Sequence, residues 1–301
     1  MELRHLRYFV AVAEALNFTR AAARLRIAQP ALSRQVQDLE DEIGVDLLTR
    51  SPRGVALTAE GKLFLEETRE LLKRTEEAVE KTRALARGEF GELQIGYSPS
   101  PTVEILPPAL GAFQKAVPRV TVRLHDLAGN ELADGVRSGV LELAVMQQPQ
   151  DANRTGLTFE ALHTYPICVA VPPMHAFARM KSVPLARLAE EKLVVFRRRE
   201  YTDYHALLDR VLKGLDPRPA IAVECDGSNS LITEIAAGRG IAIVSTVFAN
   251  TFGARLKLRP LTPAPAPQEI GIVRALKGDV TPSGEKFCAQ LRLVAKKLSR
   301  T

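Results

Sequence analysis

Gln29, Ser33, Arg34 and Gln37 stand within two turns of one another if the stretch QPALSRQVQDLEDEIG is helical. Leu32, Val36 and Leu39 already supply an apolar face there, so the four polar residues need not serve a core. Amide, hydroxyl and guanidinium groups on one helix suit base edges in a major groove: Gln pairs with adenine, Arg with guanine, Ser with base or phosphate. Arg50 and Arg53 lie in a short basic stretch downstream, within reach of phosphate or the minor groove. A second group occupies three loops that each follow a strand-like run: Ser98, Ser100 and Thr102 in YSPSPT, Arg197, Arg198, Arg199 and Thr202 in FRRREYT, and Ser228 and Asn229 in CDGSNS. Hydroxyls, free backbone N–H groups and arginines together suit a carboxylate.

Other chemistries lack their residues. His5, His125, His163, His175 and His205 show no spacing for a metal site or a nucleophile–base pair, and Cys168, Cys225 and Cys288 are 57 and 63 residues apart, which reads as buried thiols. Without GxSxG, HExxH or a P-loop, no catalytic residue, metal or cofactor is expected. GRGIAIV at 238–244 has the helix–Gly–strand order of a helix stop, the reverse of a phosphate loop. Net charge is +6, but residues 1–87 carry 15 basic against 14 acidic groups, so bulk charge does not single out a nucleic-acid domain. The apolar start is interrupted by Glu14 and no run approaches the ~20 residues of a membrane span; a cytoplasmic protein without a membrane partner is expected.

The elements that must position these groups follow from periodicity. Leu3, Leu6, Phe9, Val10, Ala13 and Leu16 mark one helix. Asn17 or Thr19 caps a second that buries Ala21, Ala22 and Leu25. Pro30 lacks the N–H a helix interior needs but suits a first turn, so a third helix starts near Ala28 or Gln29 and ends at Gly44. Arg34 then belongs to this helix, whereas Arg20, Arg24 and Arg26 are expected to meet phosphate or solvent. LLTRSPRGVALT reads as a hairpin or wing, and Thr58 opens a long helix with a seam of Phe64, Thr68, Leu71, Thr75, Ala78, Thr82 and Leu85 suited to pairing with another helix. Gly88 and Gly91 form a hinge. Ten strand-like runs then alternate with helical stretches near 103–116, 130–138, 203–214, 228–237 and 281–299, which predicts α/β units with mainly parallel sheets. Roughly 200 residues exceed one compact sheet, so two subdomains are expected, with the Pro-rich LTPAPAPQE at 261–269 as a crossover or hinge and the pocket between them at strand C-termini.

The first ~90 residues resemble the DNA-binding domain of LysR-type transcriptional regulators, matching that family's motif at Ala22, Ala23, Leu25, Gln29, Pro30, Ala31, Ser33, Leu39, Glu40, Gly44, Leu47, Arg50, Thr58 and Gly61. Two positions depart from it. Ala28 stands where a Ser or Thr is usual, which removes a helix cap, and Leu48 stands where Phe is common. The resemblance implies an N-terminal all-α winged helix-turn-helix (1–58) with a long linker helix for dimerisation (59–88), and a C-terminal α/β effector domain (89–301) of two Rossmann-like subdomains similar to periplasmic binding proteins (89–162 with 268–301, and 163–267). It further implies a dimer of dimers on double-stranded DNA carrying an inverted repeat, with RNA polymerase as a further partner. ARGEFGELQIGY looks most like the branch that regulates aromatic-compound catabolism and senses muconate-like or benzoate-like acids. In muconate-sensing relatives the first loop supplies a hydroxyl matching Ser100, with a second hydroxyl near 128 and an Arg near 147. This chain has Ala128 and Gln147, which argues against muconate itself and leaves a small anionic effector, bound by Ser98, Ser100, Thr102, Gln147, Arg198, Arg199, Thr202 and Ser228. The rival reading is a cytoplasmic small-molecule-binding module without sequence-specific DNA binding.

Overall fold

The computed structural model describes residues 1–51, 54–149 and 154–299, without the side chains of Pro99, Ser100 and Phe252. The chain divides into two compact units, Met1–Ala84 and the remainder from Leu85. Among the described residues, no helix is long and apolar enough to cross a membrane.

Helices α1 (Leu3–Ala15), α2 (Phe18–Leu25) and α3 (Gln29–Ile43) form the first unit with a hairpin, β1 (Leu48–Ser51) and β2 (Gly54–Leu57), and with the start of α4 (Ala59–Ala86). Asn17 caps α2 by accepting the Arg20 N–H at 2.9 Å. α3 starts where Pro30 allows it, in the first turn, and stops at Gly44, whose φ of 82° suits glycine. Its N-cap, Ala28, has extended backbone angles (φ −69°, ψ 135°) and no side-chain cap. Leu32, Val36 and Leu39 are fully buried against Leu6, Phe9 and Val12. Phe64, Leu65 and Leu72 of α4 join this core, with Phe64 at 5.3 Å from Phe9. The first half of the long helix thus packs within its own unit, which shortens the expected seam. Leu71, Ala78, Val79, Thr82 and Leu85 remain exposed. Thr75 and Thr82 turn their hydroxyls back onto the Leu71 and Ala78 carbonyls (2.9 and 2.8 Å), satisfying them within the helix.

The second unit contains two subdomains. In the first, β3 (Gly91–Tyr97), β4 (Val120–Asp126), β5 (Leu143–Gln147), β6 (Leu157–Tyr165) and β13 (Gln268–Ala275) form a sheet of order β4-β3-β5-β13-β6. α5 (Pro99–Thr102), α6 (Leu106–Ala116), α7 (Gly129–Ser138) and α11 (Pro282–Leu298) accompany it. In the second, β7 (Ile167–Val171), β8 (Val183–Pro184), β11 (Ala242–Ser245) and β12 (Lys257–Thr262) form a sheet of order β11-β7-β12-β8. β9 (Lys192–Phe196) pairs with β10 (Ala220–Cys225), and a parallel bridge from Leu193 to Ile241 reaches the strand region of β11. α8 (Thr202–Val211), α9 (Ser228–Ala236) and α10 (Ala249–Phe252) complete this subdomain.

The expectation of mainly parallel sheets needs correction. β3 pairs in parallel with β4 and β5, and β9 with β10, but β13 is antiparallel to β5 and β6, and β7 is antiparallel to β11 and β12. The cause is the double passage of the chain between sheets, out through Pro166 between β6 and β7 and back through 263–267 between β12 and β13. β13 enters beside Gln147, the C-terminal end of β5, with Ile270 opposite Gln147, so it must run the other way. Gly88 also differs from a free hinge. Its φ is 63°, and a Cβ there would overlap the backbone of Pro282 and Ser283 at the start of α11.

Ala28→Ser should restore the missing cap of α3 and raise stability by about 0.5–2 kcal/mol. Denaturant melts followed by circular dichroism check this; an unchanged or lower midpoint would contradict the capping account.

Candidate functional site

One site lies on α3. Gln29, Pro30 and Arg34 are exposed and Ser33 and Gln37 half-buried. Arg34 has no hydrogen bond or ion pair among the described residues, whereas Gln37 Nε2 donates to Asp41 Oδ1 at 3.0 Å. The helix is held by Glu40, a carboxylate only 3% exposed. Its Oε1 accepts the Leu47 and Leu48 N–H groups (2.8 and 2.9 Å) and its Oε2 pairs with Arg50 Nη2 at 2.8 Å. The Arg50 guanidinium also lies 5.2 Å over the Phe18 ring. Arg50, expected as a phosphate contact, is thus engaged in fastening the hairpin to α2 and α3. Arg53 lies outside the described residues. Arg24 pairs with Glu14 at 3.0 Å and Arg20 donates to the Ala15 carbonyl, so neither is simply a solvent or phosphate group. Arg69, from α4, also pairs with Glu14 at 3.0 Å, and the two guanidiniums hold that carboxyl below its usual range. Thr58 closes the unit: its hydroxyl donates to the Asp46 carbonyl at 2.8 Å and accepts the Gly61 N–H at 2.8 Å. A Cβ at Gly61 would collide with the Leu47 carbonyl.

The other site is a cavity of about 750 Å³ in the second unit. It is lined at the C-terminal ends of strands (Ser98, Asp126, Gln147, Phe196, Asp226, Ser245) and at the starts of α7, α8 and α9. First-turn N–H groups of a helix have no acceptor within it, so those starts aim partial positive charge inward. One wall is aromatic: Phe196 stacks on Tyr201 (4.7 Å, 27°) and meets Tyr204 edge-on (4.9 Å, 80°). His205 Nε2 bonds the Phe196 carbonyl at 2.6 Å, which pins α8 to β9.

The structure brings together only part of the expected effector set. Ser98, Gln147 and Ser228 line the cavity, and Gln147 Oε1 accepts Gln268 Nε2 at 2.6 Å. Thr102 is buried and donates to the Ser98 carbonyl at 2.6 Å, so its hydroxyl braces the loop. The Ser100 side chain lies outside the described residues. Arg198 is exposed and pairs with Asp209 at 3.0 Å, which Arg218 also grips at 3.0 Å; it does not line the cavity. Arg199 is exposed too, and its carbonyl accepts Asn130 Nδ2 at 3.2 Å. Thr202 Oγ1 donates to Asn130 Oδ1 at 2.7 Å, across the subdomains rather than into the cavity. Sequence reasoning missed Asp126, Phe196, Tyr201, Tyr204, Ser245 and Phe248, all of which line it. Asp126 and Ser245 end β4 and β11 and stand next to last in their strand-like runs, so nearness to a strand terminus was a usable signal.

Two family models cover these units. The "Bacterial regulatory helix-turn-helix protein, lysR family" model matches residues 3–62 and the "LysR substrate binding domain" model residues 86–295. The chain belongs to the LysR family of transcriptional regulators. It is 32% identical over 291 residues to the HTH-type transcriptional regulator YnfL of Escherichia coli K12, covering 95% of this chain and 96% of that one. It is 32% identical over 261 residues to the HTH-type transcriptional regulator AlsR of Bacillus subtilis 168, covering 87% and 86%. The crystal structure of full-length CbnR complexed with its target DNA matches with a TM-score of 0.82 at 30% identity, covering 98% of this chain and 100% of that one. This LysR-family chain is therefore a DNA-binding transcriptional regulator with an effector-binding domain, and its relatives are regulators, not enzymes. The rival reading without DNA binding falls away.

Within that effector domain the electrostatics are specific. Among the described residues, the cavity lining has no Lys, Arg or His, and its charges are Asp126 and Asp226. Burial pushes the Asp126 carboxyl up, whereas the Ser230 hydroxyl, 2.6 Å from Asp226 Oδ1, holds that carboxyl down. Burial also pushes up the phenols of Tyr201 and Tyr204. The three cysteines are buried, with Cys168 pushed up to about 12 and Cys288 to about 11, too high for thiolate chemistry at neutral pH.

Proposed function

We propose that this LysR-family regulator recognises an inverted-repeat operator as a dimer of dimers and responds to a small aromatic carboxylic acid held between the subdomains of its effector domain. The observation that carries the effector reading is the meeting, in one cavity, of an aromatic wall with the starts of α7, α8 and α9. A ring packs against Phe196 and Tyr201, and a carboxylate takes the first-turn N–H groups of α9 together with the Ser98 and Ser228 hydroxyls. With no cation in the described lining and two aspartates in it, a second carboxylate would lack a partner. This favours a singly charged acid over a dicarboxylate.

On the DNA side, α3 enters the major groove with Gln29, Ser33, Arg34 and Gln37 toward base edges, Arg50 sets the hairpin, and Arg53 meets the backbone. The exposed Leu71, Val79 and Leu85 on α4 support pairing of two subunits through that helix. Effector binding changes the angle between subdomains and so the way the dimers sit on their operator. The protein works in the cytoplasm, where its further partner is RNA polymerase.

Arg34→Ala should relax base preference at one operator position by about 1–3 kcal/mol without lowering the melting temperature. Binding-site selection with unchanged specificity would remove Arg34 from this role. For the effector, an aromatic monoacid at a hundredfold excess over its Kd should add about 2.7 kcal/mol of apparent stability. Asp126→Asn should tighten its binding roughly threefold or more at low salt by removing a like charge. A thermal-shift screen in which no aromatic monoacid acts, or only dicarboxylates do, would contradict this reading.

A further inference from the structure

Asp203, in the first turn of α8, is only 5% exposed. Its Oδ2 packs on Gly129, the first residue of α7, where an added Cβ would come within 2.9 Å of it. One carboxyl group thus stands at two helix starts, its own in the second subdomain and that of α7 in the first. Both starts carry partial positive charge, which favours an acid there and offsets the cost of burying it. The next residue of α7, Asn130, uses both ends of its amide on the same segment of the second subdomain. Its Nδ2 donates to the Arg199 carbonyl at 3.2 Å and its Oδ1 accepts the Thr202 hydroxyl at 2.7 Å. Asn130, Thr202 and Asp203 do not line the cavity, whereas their neighbours Gly129 and Tyr201 do. The contact therefore joins the subdomains just outside the space that an effector fills.

We infer that the first turns of α7 and α8 form a latch, with the Asp203 carboxyl shared between the two helix starts, which holds the subdomains at their resting angle when no effector is bound. The two chain crossings, side by side where Tyr165 pairs with Gln268, tether the subdomains but leave them free to turn about that line. The latch fixes a further point, far along the chain from both crossings, and so removes that freedom. Glu104 and Asn250 add one polar contact between the subdomains. An exposed hydrogen bond contributes little by itself, so the buried Asp203 carboxyl gives the latch most of its hold. An effector that changes the angle must loosen or reseat this contact, and the strength of the latch sets the differential affinity it needs. That regulatory use rests on the angle change proposed above, whereas the latch itself does not depend on which acid binds.

The test is double electron–electron resonance on the full-length protein without any effector. Spin labels go on Ser138→Cys, at the end of α7, and Lys213→Cys, just after α8, both exposed; the three native cysteines are buried. Labelled chains are diluted into unlabelled protein so that distances within one subunit are read. The labelled protein with its latch intact should give a single narrow distance. Asn130→Asp, which loses the donor to Arg199 and sets a second acid beside Asp203, and Asp203→Asn, which removes the shared charge, should each raise a longer-distance population about tenfold or more. Melting temperatures of both should stay near that of the parent. Unchanged distances in both variants, or two populations already present in the parent, would overturn the latch. A marked fall in melting temperature with unchanged distances assigns Asp203 to the fold of α8 and also overturns it. If Asp203→Asn fails to fold, Asn130→Asp and Gly129→Ala, whose added methyl displaces the carboxyl, decide by the same distances. Because no acid enters the experiment, its failure leaves the aromatic-acid reading standing.

Discussion

The chain crosses between the two sheets of the effector domain at Pro166 and again through 263–267, and the geometry of the cavity depends on that double passage. The crossings lie side by side, with Tyr165 opposite Gln268, and β3, β4 and β5 of one subdomain and β9, β10 and β11 of the other end on the same space. The helices after those strands must start there, which brings several helix N-termini, with their partial positive charge, to one place. Polar contacts also bridge the subdomains around that space. Thr202 and the Arg199 carbonyl bond Asn130 on one side. Elsewhere Glu104, which accepts Tyr165 Oη of its own subdomain at 2.8 Å, also accepts Asn250 Nδ2 of the other at 2.5 Å. A ligand that bonds both subdomains competes with or adds to such contacts, and a modest differential affinity is enough to shift their relative angle.

In the first unit, a comparable constraint is the Glu40 carboxylate. Two backbone N–H groups and the Arg50 guanidinium satisfy it, so a charge buried among apolar helices ties α3 to the hairpin. With Leu32, Val36 and Leu39 filling the core, the opposite side of α3 keeps Gln29 and Arg34 exposed. Stability and recognition are thus carried by different faces of one helix.

Much of this was legible in sequence because it rests on local rules. Pro30 and Gly44 bound α3, Asn17 caps α2, and the strand-like runs match strands in the structure. Strand direction was not legible, since a crossover strand such as β7 or β13 is as apolar as a parallel neighbour. For the arginines of FRRREYT the reason is different. Their residue types suit a carboxylate, but the turn after β9 sends Arg198 outward to Asp209, and spacing alone does not show on which side of a loop a long side chain falls. Tyr204 and Ser245 were overlooked because a tyrosine inside an amphipathic helix and a serine after an apolar strand read as ordinary core and turn residues. Their place on the cavity wall shows only in the structure.

The central claim is that an acid sits on the helix starts between the subdomains. Hydrogen-exchange mass spectrometry on the full-length protein, with and without a saturating aromatic monoacid, addresses it directly. Slowed exchange at the starts of α7, α8 and α9, near residues 129–132, 202–205 and 228–231, is the predicted result. Exchange unchanged at all three, or protection concentrated instead in the groove of Pro108, Ala112, Leu293 and Leu298 between α6 and α11, would contradict it.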